Sequence, residues 1–201
     1  MTEPAVGASK WASGSQVWKG KSGTFTAAGT DGAVYQMLNH GVSTGALFML
    51  VGILYERRHT FDIQQFGGLA TPMPVYATFF LFITLSSVGL PLLNGFVGEF
   101  LVLSGAFQAR ALYGVLGATG VIWSAAYMLW MYKRVFYGEV TNIANQAAPD
   151  LSARERIALW PVALAALVMG VAPMLWLDSI DPAVHAIVHR AGPILTQVVG
   201  R

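Results

Sequence analysis

The sequence predicts an all-α integral membrane protein with about four transmembrane helices, the second discontinuous, and a short C-terminal amphipathic helix. Three observations point to this. Only 11% of the 201 residues are charged while 55% are hydrophobic, whereas a soluble domain carries about 25% charged residues. Mean hydropathy is +0.55. Long apolar stretches also recur along the chain, each bounded by charges. This composition excludes a disordered chain, a nucleic-acid binder and a soluble globular enzyme. The isoelectric point near 9.0 rests on a net charge of only +2, too small to imply a polyanionic partner. The chain has no cysteine, which excludes disulfides, thiolate-bound zinc and cysteine-held iron–sulfur clusters.

Residues 1–32 are rich in Gly, Ser, Thr and Lys, with no apolar run and no helical period. They lack the continuous apolar core of a signal peptide. They read as a disordered tail or a misread start, because the composition changes abruptly near Asp31.

A helix crossing the hydrocarbon needs roughly 20 mainly apolar residues. The first span is expected at about residues 33–55, with Asp31 before it and Glu56-Arg57-Arg58 after it. The second apolar region, 73–107, would extend about 52 Å as one helix, too long for the bilayer core. Its middle holds Pro91, Asn94, Gly95 and Gly98. Proline removes a backbone donor and glycine weakens a helix, so two half-helices joined by unwound backbone are expected there. Such backbone survives in a membrane only when buried in protein or lining a wet cavity, and in transporters it marks the ion site. A simple proline kink, or a helix, loop and re-entrant segment, is the plainer alternative. A third span is expected at about 112–132, closed by Lys133 and Arg134, which anchor at the interface by snorkelling. The fourth is expected at about 157–177, between Arg154-Glu155-Arg156 and Asp178. After it, Asp181-Pro182 reads as a cap and first helical residue. A short surface helix over 182–191 would follow, ended by Gly192-Pro193.

If the spans alternate, Arg57, Arg58, Lys133, Arg134, Arg154 and Arg156 share one side. The positive-inside rule makes that side cytoplasmic, with both termini on the outer face of a bacterial inner membrane. Lys10, Lys19 and Lys21 conflict with this assignment. Arg57, Arg58 and His59 read as part of the positive-inside cluster.

Two ionisable residues sit well inside apolar spans, His40 and Glu99. A charge there is costly, so such residues face a partner or a water-filled path. Glu99 falls close to the proposed break, where burial and a moving counter-charge would load and unload a proton. Its plain reading is a structural carboxylate bonded to freed backbone amides. Gln36, His40, Ser43 and Thr44 lie along one helical face. That stripe could hold a chain of waters with imidazole as relay. Equally, His40 could sit in a packed interface, since Gly41 and Gly45 share the face at a close-packing spacing. His185 and His189 are spaced to share a metal, but no further ligand is evident, so no metal is expected. Trp123, Tyr127 and Trp130 read as a packing face. No phosphate loop, dinucleotide fingerprint or nucleophile elbow is present.

The runs Ala33-Val34-Tyr35-Gln36-Met37-Leu38-Asn39-His40-Gly41-Val42-Ser43-Thr44-Gly45 and Leu54-Tyr55-Glu56-Arg57-Arg58-His59-Thr60 carry a family resemblance. So do Phe66-Gly67-Gly68-Leu69 and Gly89-Leu90-Pro91 leading to Asn94-Gly95-Phe96-Val97-Gly98-Glu99-Phe100. Together they resemble the antiporter-like proton-translocating subunits of NADH-quinone oxidoreductase, respiratory complex I, of the chain M type. The resemblance covers about residues 31–180. It implies a partial antiporter-like domain over 33–180, containing the second of two inverted repeats, and a surface helix and tail over 181–201. It implies proton-carrying roles for Glu99 and His40; a glutamate at position 99 favours chain M over its sisters L and N, which carry lysine. The implied partners are the chain L and chain N type subunits and the lipid bilayer. NADH, FMN, iron–sulfur clusters and quinone are implied in partner subunits, with no cofactor in this chain. Two other readings stay open: a cation/proton antiporter or membrane-bound hydrogenase subunit, and an inert membrane scaffold or non-functional gene fragment.

Overall fold

The computed structural model describes residues 26–140 and 142–199, those beyond 188 by their backbone alone. Among these residues every regular element is helical: α1 (Ala27–Arg58), α2 (Pro74–Ser87), α3 (Asn94–Ala109), α4 (Ala111–Phe136), α5 (Ile143–Gln146), α6 (Ala153–Val171) and α7 (Met174–Val199). Individually, α1 and α4 are long and apolar enough to cross a membrane, and α6 with α7 meet the same test as a pair. The sequence separates α2 from α3, as expected of a discontinuous second span. The chain divides into two compact units, each considered by itself.

The first unit holds the start of α1, residues 98–118 and α7. Helix α1 begins at Ala27 rather than near residue 33, because Thr26 caps it: its hydroxyl accepts the Gly29 amide at 3.0 Å. The first turns of α1 cross α3 where two glycines meet. A Cβ at Gly105 would stand 2.6 Å from the Gly29 Cα, so only hydrogen fits between the backbones.

Helix α7 corrects two expectations. The fourth span does not run to residue 177 as one helix. It stops at Val171, because Pro173 disfavours helical geometry at Ala172. Nor does a short helix start at Asp181 and end at Gly192-Pro193; α7 runs through both sites. Leu177 and Val184, two turns apart and buried, pack one face of α7 on either side of Pro182. That burial carries the helix through a residue that would otherwise break it.

The second unit holds residues 36–97 and 119–173. Its core joins Leu50, Leu69, Tyr76, Ile83, Phe136 and Leu159, all nearly fully buried. Tyr76 and Tyr132 bury their rings there and donate their hydroxyls to Leu50 O at 2.8 Å and Ala77 O at 3.1 Å. The Phe66–Leu69 turn is tied to the end of α4 by Gly68 N–H to Tyr137 O at 3.1 Å and Ala70 N–H to Phe136 O at 3.1 Å. Gly68 has φ +64, and a Cβ there would stand 2.8 Å from Gly138 O, which reserves this position for glycine.

The basic cluster after the first span resolves into separate tasks. Arg57 is not a free interfacial charge. All five of its donors are used: Nε on Pro149 O, and the two terminal nitrogens on Ile53 O, Asp150 O and both carboxylate oxygens of Glu155. His59 adopts φ +52 and closes α1 by donating its amide to Tyr55 O at 2.7 Å. The Asp150 carboxylate caps α2, whose first residue is Pro74, by accepting the amides of Val75 at 2.9 Å and Tyr76 at 3.0 Å. A reciprocal capping box between Ser152 and Glu155 starts α6.

Candidate functional site

The discontinuity lies at residues 88–93, between α2 and α3. Pro91 falls within it, while Asn94, Gly95 and Gly98 belong to the first turns of α3. Two residues turn the chain there with positive φ: Gly89 at +80 and Leu92 at +76. The freed backbone is not left bare. Leu90 N–H bonds to Leu85 O at 3.0 Å and Leu93 N–H to Leu90 O at 3.0 Å. On one side α6 covers the break so closely that a Cβ at Gly170 would strike the Leu92 carbonyl. The unwound segment is therefore packed against α6 on one side and anchored by buried Leu93, while Leu90, Pro91 and Leu92 remain exposed.

On the other side α1 supplies polar side chains. Ser43, Ser86 and Asn94, all buried, form a closed ring. The Ser43 hydroxyl lies 3.0 Å from Ser86 Oγ, the Ser86 hydroxyl donates to Asn94 Oδ1, and Asn94 Nδ2 donates back to Ser43 Oγ at 3.2 Å. The second Nδ2 hydrogen of Asn94 goes to Asn39 O at 3.2 Å. Each donor in the ring feeds the next acceptor, an arrangement that strengthens the bonds mutually where the dielectric is low. Gly95 permits this closeness, because a Cβ there would collide with Ser86 O.

Beside the ring lies a pocket of about 50 Å³, lined by Gln36, Asn39, His40, Thr44 and Ser87 along with ring residues. That volume admits at least one water. Two buried atoms of its lining residues, Asn39 Oδ1 and Ser87 Oγ, have no partner among the described residues. Asn39 Nδ2 donates to Gln36 Oε1 at 3.2 Å. The expected stripe of Gln36, His40, Ser43 and Thr44 thus lines one pocket. His40 is exposed at its edge rather than buried among apolar side chains. Glu99 lies in the second turn of α3, half-buried, and belongs to the first unit, whereas His40 belongs to the second. No hydrogen bond or ion pair to the Glu99 carboxylate occurs among the described residues.

Other expected sites fare differently. Gly41 and Gly45 are exposed, with nothing within 4 Å of an added Cβ, so they mark no close packing inside the described chain. Close glycine crossings occur at Gly29, Gly32, Gly95, Gly105 and Gly170 instead. Trp123, Tyr127 and Trp130 are exposed, so the packing face expected of them is not formed among the described residues. Lys133 and Arg134 are exposed in the last turn of α4, as interfacial anchors would be. His185 pairs with Asp181 at 3.2 Å, and the side chain of His189 lies outside the described residues. No group of three potential metal ligands occurs among the described residues. Sequence reasoning missed Asn39 and Ser86. The available signals were that Asn39 shares the Gln36–Ser43 face and that Ser86-Ser87 is a polar pair directly before the break.

Comparison with known proteins gives a consistent result. Residues 21–124 match the family model described as NADH:quinone oxidoreductase/Mrp antiporter, TM. Subunit M of the NADH-quinone oxidoreductase of Rhodobacter capsulatus is 45% identical over 162 residues, 81% of this chain and 32% of that one. A chain of respiratory complex I from Thermus thermophilus with bound NADH superposes with a TM-score of 0.73 at 37% identity, over 80% of this chain and 33% of that one. A chain of the Mrp complex from a Dietzia species has the same TM-score, 0.73, at 18% identity over 86% of this chain and 40% of that one, a likeness of fold alone. The chain spans about a third of the length of the curated relatives it matches.

Proposed function

The chain belongs to the NADH:quinone oxidoreductase/Mrp antiporter transmembrane family, and from that premise we propose that it forms the C-terminal, second-repeat part of a proton-translocating membrane subunit of an NADH-quinone oxidoreductase. One observation carries this reading: the helix interruption at 88–93 coincides with a buried polar ring and a water-sized pocket edged by His40. Moving a proton through hydrocarbon requires stations that exchange it and polar groups or waters between them. His40 suits a relay, because imidazole changes charge near neutral pH. Glu99, on the helix that Asn94 starts, suits a station whose charge is stabilised only when a counter-charge approaches. Gln36, Asn39, Thr44 and Ser87 would hold a water beside His40.

Under this reading electron transfer takes place in partner subunits, which would hold NADH, FMN, iron–sulfur clusters and quinone. This chain would hold no cofactor and would neighbour the chain L and chain N type subunits. Both termini would lie on the outer face of a bacterial inner membrane. The test uses the assembled, full-length complex in sealed vesicles, with protons counted against electrons during NADH oxidation. Glu99→Gln should lower that ratio while assembly on native gels stays intact, and His40→Ala should lower it less. An unchanged ratio in Glu99→Gln removes Glu99 from the route. Sodium-driven proton movement without NADH would favour the cation/proton antiporter reading instead.

A further inference from the structure

The start of α1 buries a carboxylate that the proton route above does not use. Asp31 retains only 3% of its exposure, and its Oδ1 has no hydrogen-bond partner among the described residues. The adjacent Thr30 hydroxyl is already given to Thr26 O at 3.0 Å. Two titratable groups act on Asp31 electrostatically, both from α7 in the same compact unit: Asp181 as a like charge and His185 as an opposite one. These two meet each other, with His185 Nε2 3.2 Å from Asp181 Oδ1. Asp181 stands one turn from both Leu177 and Val184, the buried residues of α7, and so lies on the inward face of that helix. We propose that Asp31, Asp181 and His185 form a proton-exchange site, in which the two carboxylates take up one proton that His185 passes to them from water.

The chemistry of the groups sets this ligand. Ionised carboxylates only accept hydrogen bonds, and the imidazole is the one donor group acting on them from α7. A buried carboxylate oxygen without a donor is costly. An added proton supplies that donor and removes the repulsion between like charges. A metal ion is the other way to fill an acceptor-rich site, but no group of three potential metal ligands occurs among the described residues. Helix α3 also packs here, bringing Leu101 and the Val102 amide against Gly32. Its one charged residue, Glu99, is not among the charges acting on Asp31, and neither is Asp178, which is exposed one turn before Asp181. Exposure falls steeply across the site: the side chains of His185 and Asp181 retain 46% and 34% of theirs, against 3% for Asp31. A proton thus has a wet end to enter by and a dry end to be held at. Imidazole suits the wet end, because it changes charge near neutral pH. The site needs neither Glu99 nor His40, so it stands whether or not those residues carry the translocated proton.

The test is a titration of the full chain reconstituted in phosphatidylcholine, with carbon-13 at Cγ of every aspartate and each signal assigned through its backbone amide. Asp31 should titrate separately from exposed Asp62 and in step with Asp181, as coupled sites do. Asp181→Asn removes the like charge and should weaken proton binding at Asp31 about fivefold, whereas His185→Gln removes the opposite charge and should strengthen it by about as much. Loosened packing alone would not move the two variants in opposite directions. Should either variant fail to fold, the native titration still decides. Asp31 titrating alongside Asp62 as an independent carboxyl would overturn the proposal. So would a midpoint that neither substitution moves, or that both move the same way.

Discussion

Arg57 and Glu155 meet in a two-pronged ion pair, with Nη1 3.0 Å from one carboxylate oxygen and Nη2 2.8 Å from the other. Their side chains retain only 10% and 21% of their exposure. The pair joins the last turn of α1 to the first turn of α6; two of the remaining three guanidinium donors hold the carbonyls of Pro149 and Asp150 in the loop between α5 and α6, and the third returns to Ile53 O of α1. A lysine could not make these bonds, because it lacks the planar fork.

Arg57→Gln should therefore destabilise the chain by about 3 kcal/mol, since it strands a largely buried carboxylate and two carbonyls. Arg57→Lys should recover less than half of that loss. Thermal unfolding in detergent measures both, and the double variant with Glu155→Gln should cost less than the two single losses added. Strict additivity would show that the pair does not interact.

Removing Asn94 should undo the ring at the helix break. Asn94→Leu leaves the hydroxyls of Ser43 and Ser86 and the Asn39 carbonyl short of partners. Each buried unsatisfied group costs about 1–3 kcal/mol. Ser43→Ala should cost about 1 kcal/mol, because Ser86 and Asn94 keep their mutual bond. The ordering of these two variants, read from unfolding in detergent, checks the ring.

Two glycines at the break should be intolerant where two on the exposed face of α1 are not. Gly95→Ala and Gly170→Ala drive a methyl into the carbonyls of Ser86 and Leu92, and overpacking of this kind costs about 1–3 kcal/mol. Gly41→Ala and Gly45→Ala meet nothing within 4 Å and should stabilise the chain's own fold by up to about 1 kcal/mol. Loss of complex assembly in Gly45→Ala, with the isolated fold intact, would locate a partner subunit on that face.

Asp150→Ala should free the first turn of α2. Its carboxylate satisfies two amides of that helix, and losing such a cap costs about 1–2 kcal/mol. Hydrogen exchange should rise first at Val75 and Tyr76, with the far end of α2 unaffected.

How much of this was legible follows from what each signal depends on. Charges at 56–58 and 133–134 bounded the ends of α1 and α4 because a charged residue is costly in hydrocarbon at any position. The excess length of residues 73–107, with Pro91 inside it, foretold an interruption. The stripe from Gln36 to Thr44 foretold a polar lining, since helical spacing alone sets a face. The end of α6 was misjudged because apolar composition continues past Val171 while Pro173 decides the backbone. The path of α7 was misjudged because Asp181-Pro182 is a start signal only when burial does not overrule it.

Composition, periodicity and proline placement, read from the sequence by themselves, determined an all-helical membrane chain with an interrupted second span and a polar face on its first. These are local properties, set by each residue's own cost in lipid or in a helix. Only the tertiary structure decided that Arg57 serves Glu155 rather than the interface, that Ser43, Ser86 and Asn94 close a ring, and that α2 and α6 leave an apolar groove between them. Arg57 and Glu155 stand 98 residues apart. Nothing in the neighbourhood of either one encodes the other: a partner at that separation is chosen by packing, which brings the two ends together and leaves them no water to prefer.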